Sequence, residues 1–200
     1  MSLKIGVVGA TGNVGREMLS ILSEKGYKSD DVFAIASSRS EGIKVPFGED
    51  EITVTSLDKF NPKEIEIALF SAGGDISKEW APKFAKAGCI VIDNSSHFRM
   101  DPEVPLIVPE VNAEAISSFK NKNIIANPNC STAQLVVALK PLYDKNKIKT
   151  IIVSTYQSVS GAGKEGMDEL FNQSRKFFAN DVLDKFKFTQ SIVFIIILDW

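Results

Sequence analysis

The stretch "GVVGATGNVGRE", residues 6–17, decides the fold. It follows a continuous apolar run, "LKIGVV" (3–8), short enough for a strand buried on both faces. It leads into "NVGREMLSILSEKG" (13–26), where Val14, Met18, Leu19, Ile21 and Leu22 recur at helical spacing and Gly26 marks a stop. Gly9, Gly12 and Gly15 are three residues apart, a G-x-x-G-x-x-G that departs from the usual G-x-G-x-x-G. The physics is shared: small residues let the backbone approach a pyrophosphate, and the following helix aims N–H groups and its positive dipole end at it. Thr11 and Asn13 add side-chain donors or acceptors to that turn.

Strands and helices alternate beyond it. "DVFAIAS" (31–37), "IEIALFS" (65–71) and "CIVIDNS" (89–95) read as buried strands, and "GIKVPFGEDEITVTSL" (42–57) as short β pieces with turns. "DISKEWAPKFAKAG" (75–88) is helical in composition, with Pro82 expected to break or restart it. "NPNCSTAQLVVALKPLYDK" (127–145) begins with capping residues and becomes helical. "IKTIIVSTYQ" (148–157) reads as a long strand. "KEGMDELFNQSRKFFAND" (164–181) sets Met167, Leu170, Phe171, Ser174, Phe177 and Phe178 on one helical face. The expected fold class is α/β, a Rossmann-like, doubly wound, mostly parallel sheet over residues 1–128. The start of an α+β catalytic and dimerisation domain is expected over 129–200.

The end of the second strand chooses the nucleotide. NAD sites place Asp or Glu about 20 residues on, for the ribose 2′-hydroxyl. Here "ASSRS" (36–40) supplies Ser37, Arg39 and Ser40, which suit a 2′-phosphate, so NADP is the expected cofactor. Composition excludes other classes. The 200 residues are 44% apolar with a net charge of −2, which argues against a basic nucleic-acid surface. No apolar stretch reaches a membrane span's length, and no signal-peptide pattern opens the chain, so a cytoplasmic location is expected. Two cysteines make no disulfide framework, and no metal site is expected. Cys89 reads as a small core residue. Cys130, at the start of a predicted helix, sits where a thiolate is favoured.

The motifs "GATGNVG", "ASSRS", "DNSSHFRM", "VPLIVPEVN", "NPNCSTAQ" and "YQSVSGAGKEG", in this order, resemble aspartate-semialdehyde dehydrogenase from about residue 3 to about residue 188. N-acetyl-γ-glutamyl-phosphate reductase shares the chemistry but typically sets its cysteine in a "PGCY"-like context, which "NPNCSTAQ" fits less well. A non-catalytic NADP-binding remnant is the alternative from another class.

The resemblance implies NADPH-dependent reduction of L-aspartyl 4-phosphate to aspartate semialdehyde, with phosphate released and Cys130 as nucleophile. It implies that Gly9, Thr11, Gly12, Asn13 and Val14 cradle the cofactor pyrophosphate. Ser37, Arg39 and Ser40 would take the 2′-phosphate, with Ser160 and Gly161 touching the cofactor from the far side. Arg99 would hold the transferable phosphate, and Asn129 and Gln157 would orient the substrate. Partners implied are the small substrate and phosphate, with a homodimer expected of the full-length family.

The family's second half carries a general-base histidine, a substrate-binding arginine and a phosphate-binding lysine. His97, the sole histidine, lies in the "FRM" loop and does not match that base. Loss of a positioned base costs about 10²–10⁴ in rate, so little or no turnover is expected of these 200 residues, and without the family's second half NADP binding is expected to be weak and the dimer contacts incomplete. The tail "FTQSIVFIIILDW" (188–200) departs from the family's "IAFN-x-IP"-like pattern and reads as an aggregation-prone window.

Overall fold

The computed structural model describes residues 3–182, which leaves the apolar tail outside the described residues. The chain divides into two compact units, Met1–Lys147 and Ile148–Trp200.

In the first unit, β1 (Ile5–Val8) runs through the glycine turn into α1 (Asn13–Glu24), and β2 (Val32–Ala36) returns beside β1. A hairpin follows, β3 (Lys44–Phe47) and β4 (Asp50–Thr53), antiparallel and turned at Gly48 with φ 62°. Next come β5 (Thr55–Ser56), β6 (Ile67–Phe70), α2 (Gly74–Lys86), β7 (Ile90–Asp93), α3 (Pro109–Asn112), β8 (Ile124–Ala126) and α4 (Cys130–Lys145). Six strands form one parallel sheet in the order β5-β2-β1-β6-β7-β8. The chain moves outward from β1 through β2 to β5, then restarts at β6 on the other side and continues to β8. That reversal is a topological switch point between β1 and β6, where such sheets bind ligands at their carboxyl ends.

Period-2 alternation explains why the strands read as unbroken apolar runs. Val8, Ile35, Phe70 and Val91 pack with Phe84 and Ala81 of α2 in one core. Val7 and Ala34 pack with Leu19 of α1 and Val45 and Phe47 of the hairpin in the other. Each fully buried Val, Leu or Phe contributes about 1.5–3 kcal/mol through area removed from water. α1 ends at Glu24, and Gly26 turns the chain with φ 82°, as its sequence implied.

The helix containing Pro82 differs from expectation. α2 is continuous from Gly74 to Lys86 with Pro82 inside it. Proline removes the bond to the carbonyl four residues back, Lys78, but both residues are exposed, so water can satisfy that carbonyl. Meanwhile Ala81, Phe84 and Ala85 hold the helix in the core. β8 was not legible in "NKNIIAN": three residues are too few for a periodicity signal.

In the second unit, residues 148–157 form no strand: none of them joins a ladder among the described residues. Ile152 is 96% exposed. Strand propensity is realised only through a paired strand, and among the described residues no ladder forms on this segment. α5 (Gly163–Phe178) forms where expected, but its buried residues are Gly166, Glu169 and Gln173. Phe171 and Phe178, on the anticipated apolar stripe, are 68% and 82% exposed. The Gln173 Nε2 donates to Glu169 Oε1 at 2.8 Å, which lets two polar side chains occupy the buried face.

Candidate active site

The strand register gathers the motifs along one edge. Val8 aligns with Ile35 and Phe70, Phe70 with Asp93, and Asp93 with Ala126. Past this row the chain leaves the sheet in turns: "GATG" after β1, "SSRS" after β2, "SAGG" after β6, "NSS" after β7 and "NPNC" after β8. Segments more than a hundred residues apart thus share the carboxyl edge.

The three glycines of the first turn have separable roles. Gly9 adopts φ +91°, and a Cβ there would lie 2.5 Å from the Ser71 carbonyl oxygen. Its N–H, with that of Ala10, donates to the Ile35 oxygen at 2.8 and 3.1 Å, tying the turn to the end of β2. Gly15 faces the turn so closely that a Cβ would sit 2.2 Å from the Gly9 oxygen. Gly12 is different: its φ of −77° suits any residue, and a Cβ would meet only the Gly9 oxygen, at 3.4 Å. Packing within the protein does not require glycine there. Gly12 is the exposed N-cap of α1, no side chain caps that helix, and its open Cβ position leaves room for a ligand at the helix N-terminus. Asn13 and Val14 begin the helix and are exposed beside it, with Thr11 half-buried. This arrangement fits a dinucleotide pyrophosphate, with the first-turn N–H groups supplying the donors.

Ser37 begins a 3₁₀ turn, Ser38–Ser40, at the carboxyl end of β2. Ser37 and Arg39 are exposed and Ser40 half-buried, beside the glycine turn. Sequence reasoning passed over "SAGG" (71–74). Gly73, at φ +89°, is the N-cap of α2, again without a side-chain cap, and Ser71 N–H donates to the Val8 oxygen at 2.8 Å. The paired glycines after a strand were the available signal.

A polar network joins the next two turns. The carboxylate of Asp93, fully buried, accepts from Ser77 Oγ at 2.7 Å and from Ser95 N and Oγ at 3.1 and 2.6 Å. Asn127 Nδ2 donates to Asn94 Oδ1 at 2.7 Å. Arg99 spans both turns: Nε donates to the Asn127 oxygen at 2.9 Å and Nη2 to the Asn94 oxygen at 3.0 Å. Two of its five N–H donors are thus used to fix loop geometry. Asp93, Ser77 and Asn94 were not singled out from sequence, because a buried polar network has no linear spacing. His97 stacks edge-on to Phe98, with ring centroids 4.6 Å apart, and is exposed.

Cys130 is the first residue of α4 and is exposed. Asn129, its N-cap, accepts from Ser131 N at 2.9 Å and Ser131 Oγ at 2.6 Å, and the Cys130 thiol approaches the same Oδ1 at 3.8 Å. Asn129 Oδ1 is thereby committed to capping the helix. Cys89 is buried in the core, with Sγ donating to the Pro62 oxygen at 2.9 Å and the Ile65 oxygen at 3.3 Å. Burial pushes its thiol above the ordinary value, reinforced by the charge of Glu66.

Gln157, Ser160 and Gly161 lie in the second unit. Gln157 precedes the 3₁₀ turn Val159–Ala162 and does not end a strand as expected. Ser158 caps that turn, its Oγ accepting from Ser160 N at 3.4 Å and from Ser160 Oγ at 3.1 Å. Gly161 N–H donates to the Ser158 oxygen at 3.3 Å. Among the described residues no helix is long and apolar enough to cross a membrane.

The chain is similar to known proteins in sequence and in fold. A family model described as semialdehyde dehydrogenase, NAD binding domain, matches residues 4–119, and one described as semialdehyde dehydrogenase, dimerisation domain, matches residues 139–198. An aspartate-semialdehyde dehydrogenase of Aquifex aeolicus is 55% identical over 97% of this chain and 58% of its own length. The crystal structure of aspartate semialdehyde dehydrogenase II from Vibrio cholerae matches with a TM-score of 0.91 at 50% identity, over 98% of this chain and 58% of that one. The NADP-bound aspartate semialdehyde dehydrogenase of Candida albicans matches with a TM-score of 0.68 at 33% identity, over 84% of this chain and 54% of that one. This chain therefore spans somewhat over half the length of the relatives it matches. The first of the two family models spans more than half of the chain and takes in the glycine turn at the switch point, and the chain belongs to the semialdehyde dehydrogenase family.

Proposed function

We propose that the chain carries the cofactor-binding and nucleophile-bearing portion of an aspartate-semialdehyde dehydrogenase, a cytoplasmic enzyme that interconverts L-aspartyl 4-phosphate and L-aspartate 4-semialdehyde. The single observation behind this reading is the exposed Cys130, first residue of a helix at the same sheet edge as the glycine turn. In the direction of oxidation, the Cys130 thiolate adds to the aldehyde carbon and forms a C–S bond. NADP, when bound, supplies the hydride acceptor that turns the adduct into a thioester. Phosphate then attacks the thioester carbon, the C–S bond breaks, and the thiolate is regenerated as the acyl phosphate leaves.

The other residues bind and orient. Gly9, Thr11, Gly12, Asn13 and Val14 hold the pyrophosphate, and Ser37, Arg39 and Ser40 the 2′-phosphate. Ser160 and Gly161, in the second unit, are cofactor contacts by resemblance to the family. Arg99 offers its remaining guanidinium donors to the phosphate, a geometry that suits a tetrahedral oxyanion. Asn129 and Gln157 orient the substrate through their side-chain amides. The match to a dimerisation domain over residues 139–198 supports a homodimer as the assembly of the full-length enzymes.

The test uses the purified chain with aspartate semialdehyde and NADP, without phosphate. In a single slow turnover, the expected products are at most one equivalent of NADPH and an aspartyl thioester on Cys130, detected by mass spectrometry and discharged by added phosphate. Cys130→Ser forms neither. Acylation at Cys89, or an adduct on Cys130 without NADPH formation, overturns the reading.

A further inference from the structure

The turn after β2 carries an acid as well as a base. Glu41 lies two residues beyond Arg39 and closes the Ser38–Ser40 turn, its N–H donating to the Ser38 oxygen at 3.2 Å. An unpaired carboxylate at that position would act against a 2′-phosphate twice, by repelling it and by competing for the Arg39 guanidinium. The structure disposes of this carboxylate. Lys59 Nζ donates to both of its oxygens, at 2.9 and 2.8 Å. Arg39 makes no ion pair among the described residues.

Lys59 is held in place for this contact. It follows β5, the outer neighbour of β2, and Leu57 N–H donates to the Ala36 oxygen at 2.8 Å. Lys59 N–H and Phe60 N–H both donate to the Ser56 oxygen at 3.0 Å, closing a tight turn. The Phe60 side chain anchors that turn in the core, its ring 5.6 Å from Phe33 and 6.2 Å from Phe84. A surface ion pair of this exposure adds little to stability. Its consequence is electrostatic and local.

We propose that Lys59 is a positioning residue for cofactor choice: by occupying both oxygens of Glu41, it leaves Arg39 for the 2′-phosphate and sets the preference for NADP over NAD. This rests on the cofactor reading above, and the two fail differently.

The experiment titrates NADP and NAD by calorimetry into the wild-type chain, Lys59→Gln, Glu41→Gln and the double variant. Wild type is expected to bind NADP more tightly than NAD; if it does not, the cofactor reading itself falls. Lys59→Gln is expected to weaken NADP by about three- to tenfold, the size of a phosphate–carboxylate repulsion across a few ångströms of water. NAD, lacking the 2′-phosphate, is expected to change less than about twofold. Removing the acid as well restores NADP binding, so the double variant matches Glu41→Gln. Equal losses for both nucleotides, or unchanged NADP binding in Lys59→Gln, would overturn the assignment. A double variant that keeps the loss would show Lys59 contacting the phosphate directly, which also overturns it.

Discussion

Two alanine substitutions in one turn should separate ligand binding from folding. In Gly12→Ala the new Cβ meets only the Gly9 oxygen at 3.4 Å, and the φ of −77° needs no change. Alanine is a poorer N-cap than glycine by about 0.5–1 kcal/mol, while lower entropy of the unfolded chain returns about 0.4–1 kcal/mol. The net effect on stability is therefore about zero. In Gly15→Ala the Cβ would lie 2.2 Å from the Gly9 oxygen and 2.8 Å from Ala10 Cα, both backbone atoms that cannot rotate away. Overpacking of this kind costs about 1–3 kcal/mol, or roughly 2–10 °C in Tm for a chain of this size. For the cofactor, the methyl group added by Gly12→Ala would stand in the path of the pyrophosphate proposed to bind there. Loss of two charge-assisted hydrogen bonds at about 1.5 kcal/mol each weakens NADP about a hundredfold. Thermal unfolding followed by circular dichroism, with NADP calorimetry on the same samples, reads both quantities. Gly12→Ala should melt with wild type and bind poorly, whereas Gly15→Ala should melt early. Wild-type NADP affinity in Gly12→Ala would refute the argument that the ligand, and not the fold, requires that glycine.

Other outcomes follow from single contacts. Cys130 should be alkylated at neutral pH well before Cys89, whose thiol is raised by burial and donates to two carbonyls; peptide mapping showing Cys89 first would contradict the site. The buried Ser56 hydroxyl has no hydrogen-bond partner among the described residues, so Ser56→Ala should be neutral or stabilising by about 1 kcal/mol. A Tm drop of several degrees would reveal a partner. Asp101 is held below the ordinary carboxylate range by the Lys122 hydrogen bond at 2.7 Å, and Lys122 above its ordinary value by Asp101 and Glu103. The Asp101 contribution is present above the ordinary carboxylate pKa and disappears as pH falls through the depressed value. The Lys122 contribution is present below 10.5 and disappears as pH rises through the raised value. Lys122→Met should therefore move acid unfolding to higher pH; an unchanged acid midpoint would show that the pair does not report on folding.

Much of the first unit was legible because its signals are local. Buried parallel strands read as apolar runs, and the glycine turn is a contiguous string whose neighbours fix its meaning. The helix after "NPN" was readable from its cap, and Asn129 does accept from Ser131 N. Pro82 misled because a helix breaker is judged from its own bond, while Phe84 and the surrounding core decide whether the helix continues. Residues 148–157 misled in the opposite sense: strong β propensity carried no information about an available partner. The α5 stripe was visible, but periodicity does not report which face is covered.

The sequence by itself determined the fold class, the turn at the end of β1, the basic turn at the end of β2 and the cysteine at a helix start. These depend on residue identity within a few positions, where backbone sterics and dipoles act. Only the tertiary structure decided that packing demands glycine at Gly9 and Gly15 and leaves Gly12 open. It alone joined Asp93 to Ser77, Arg99 to Asn94 and Asn127, and Lys59 to Glu41. Those contacts bridge residues that the chain separates and the parallel register brings together, since strand pairing aligns carboxyl ends whatever the distance along the sequence between them.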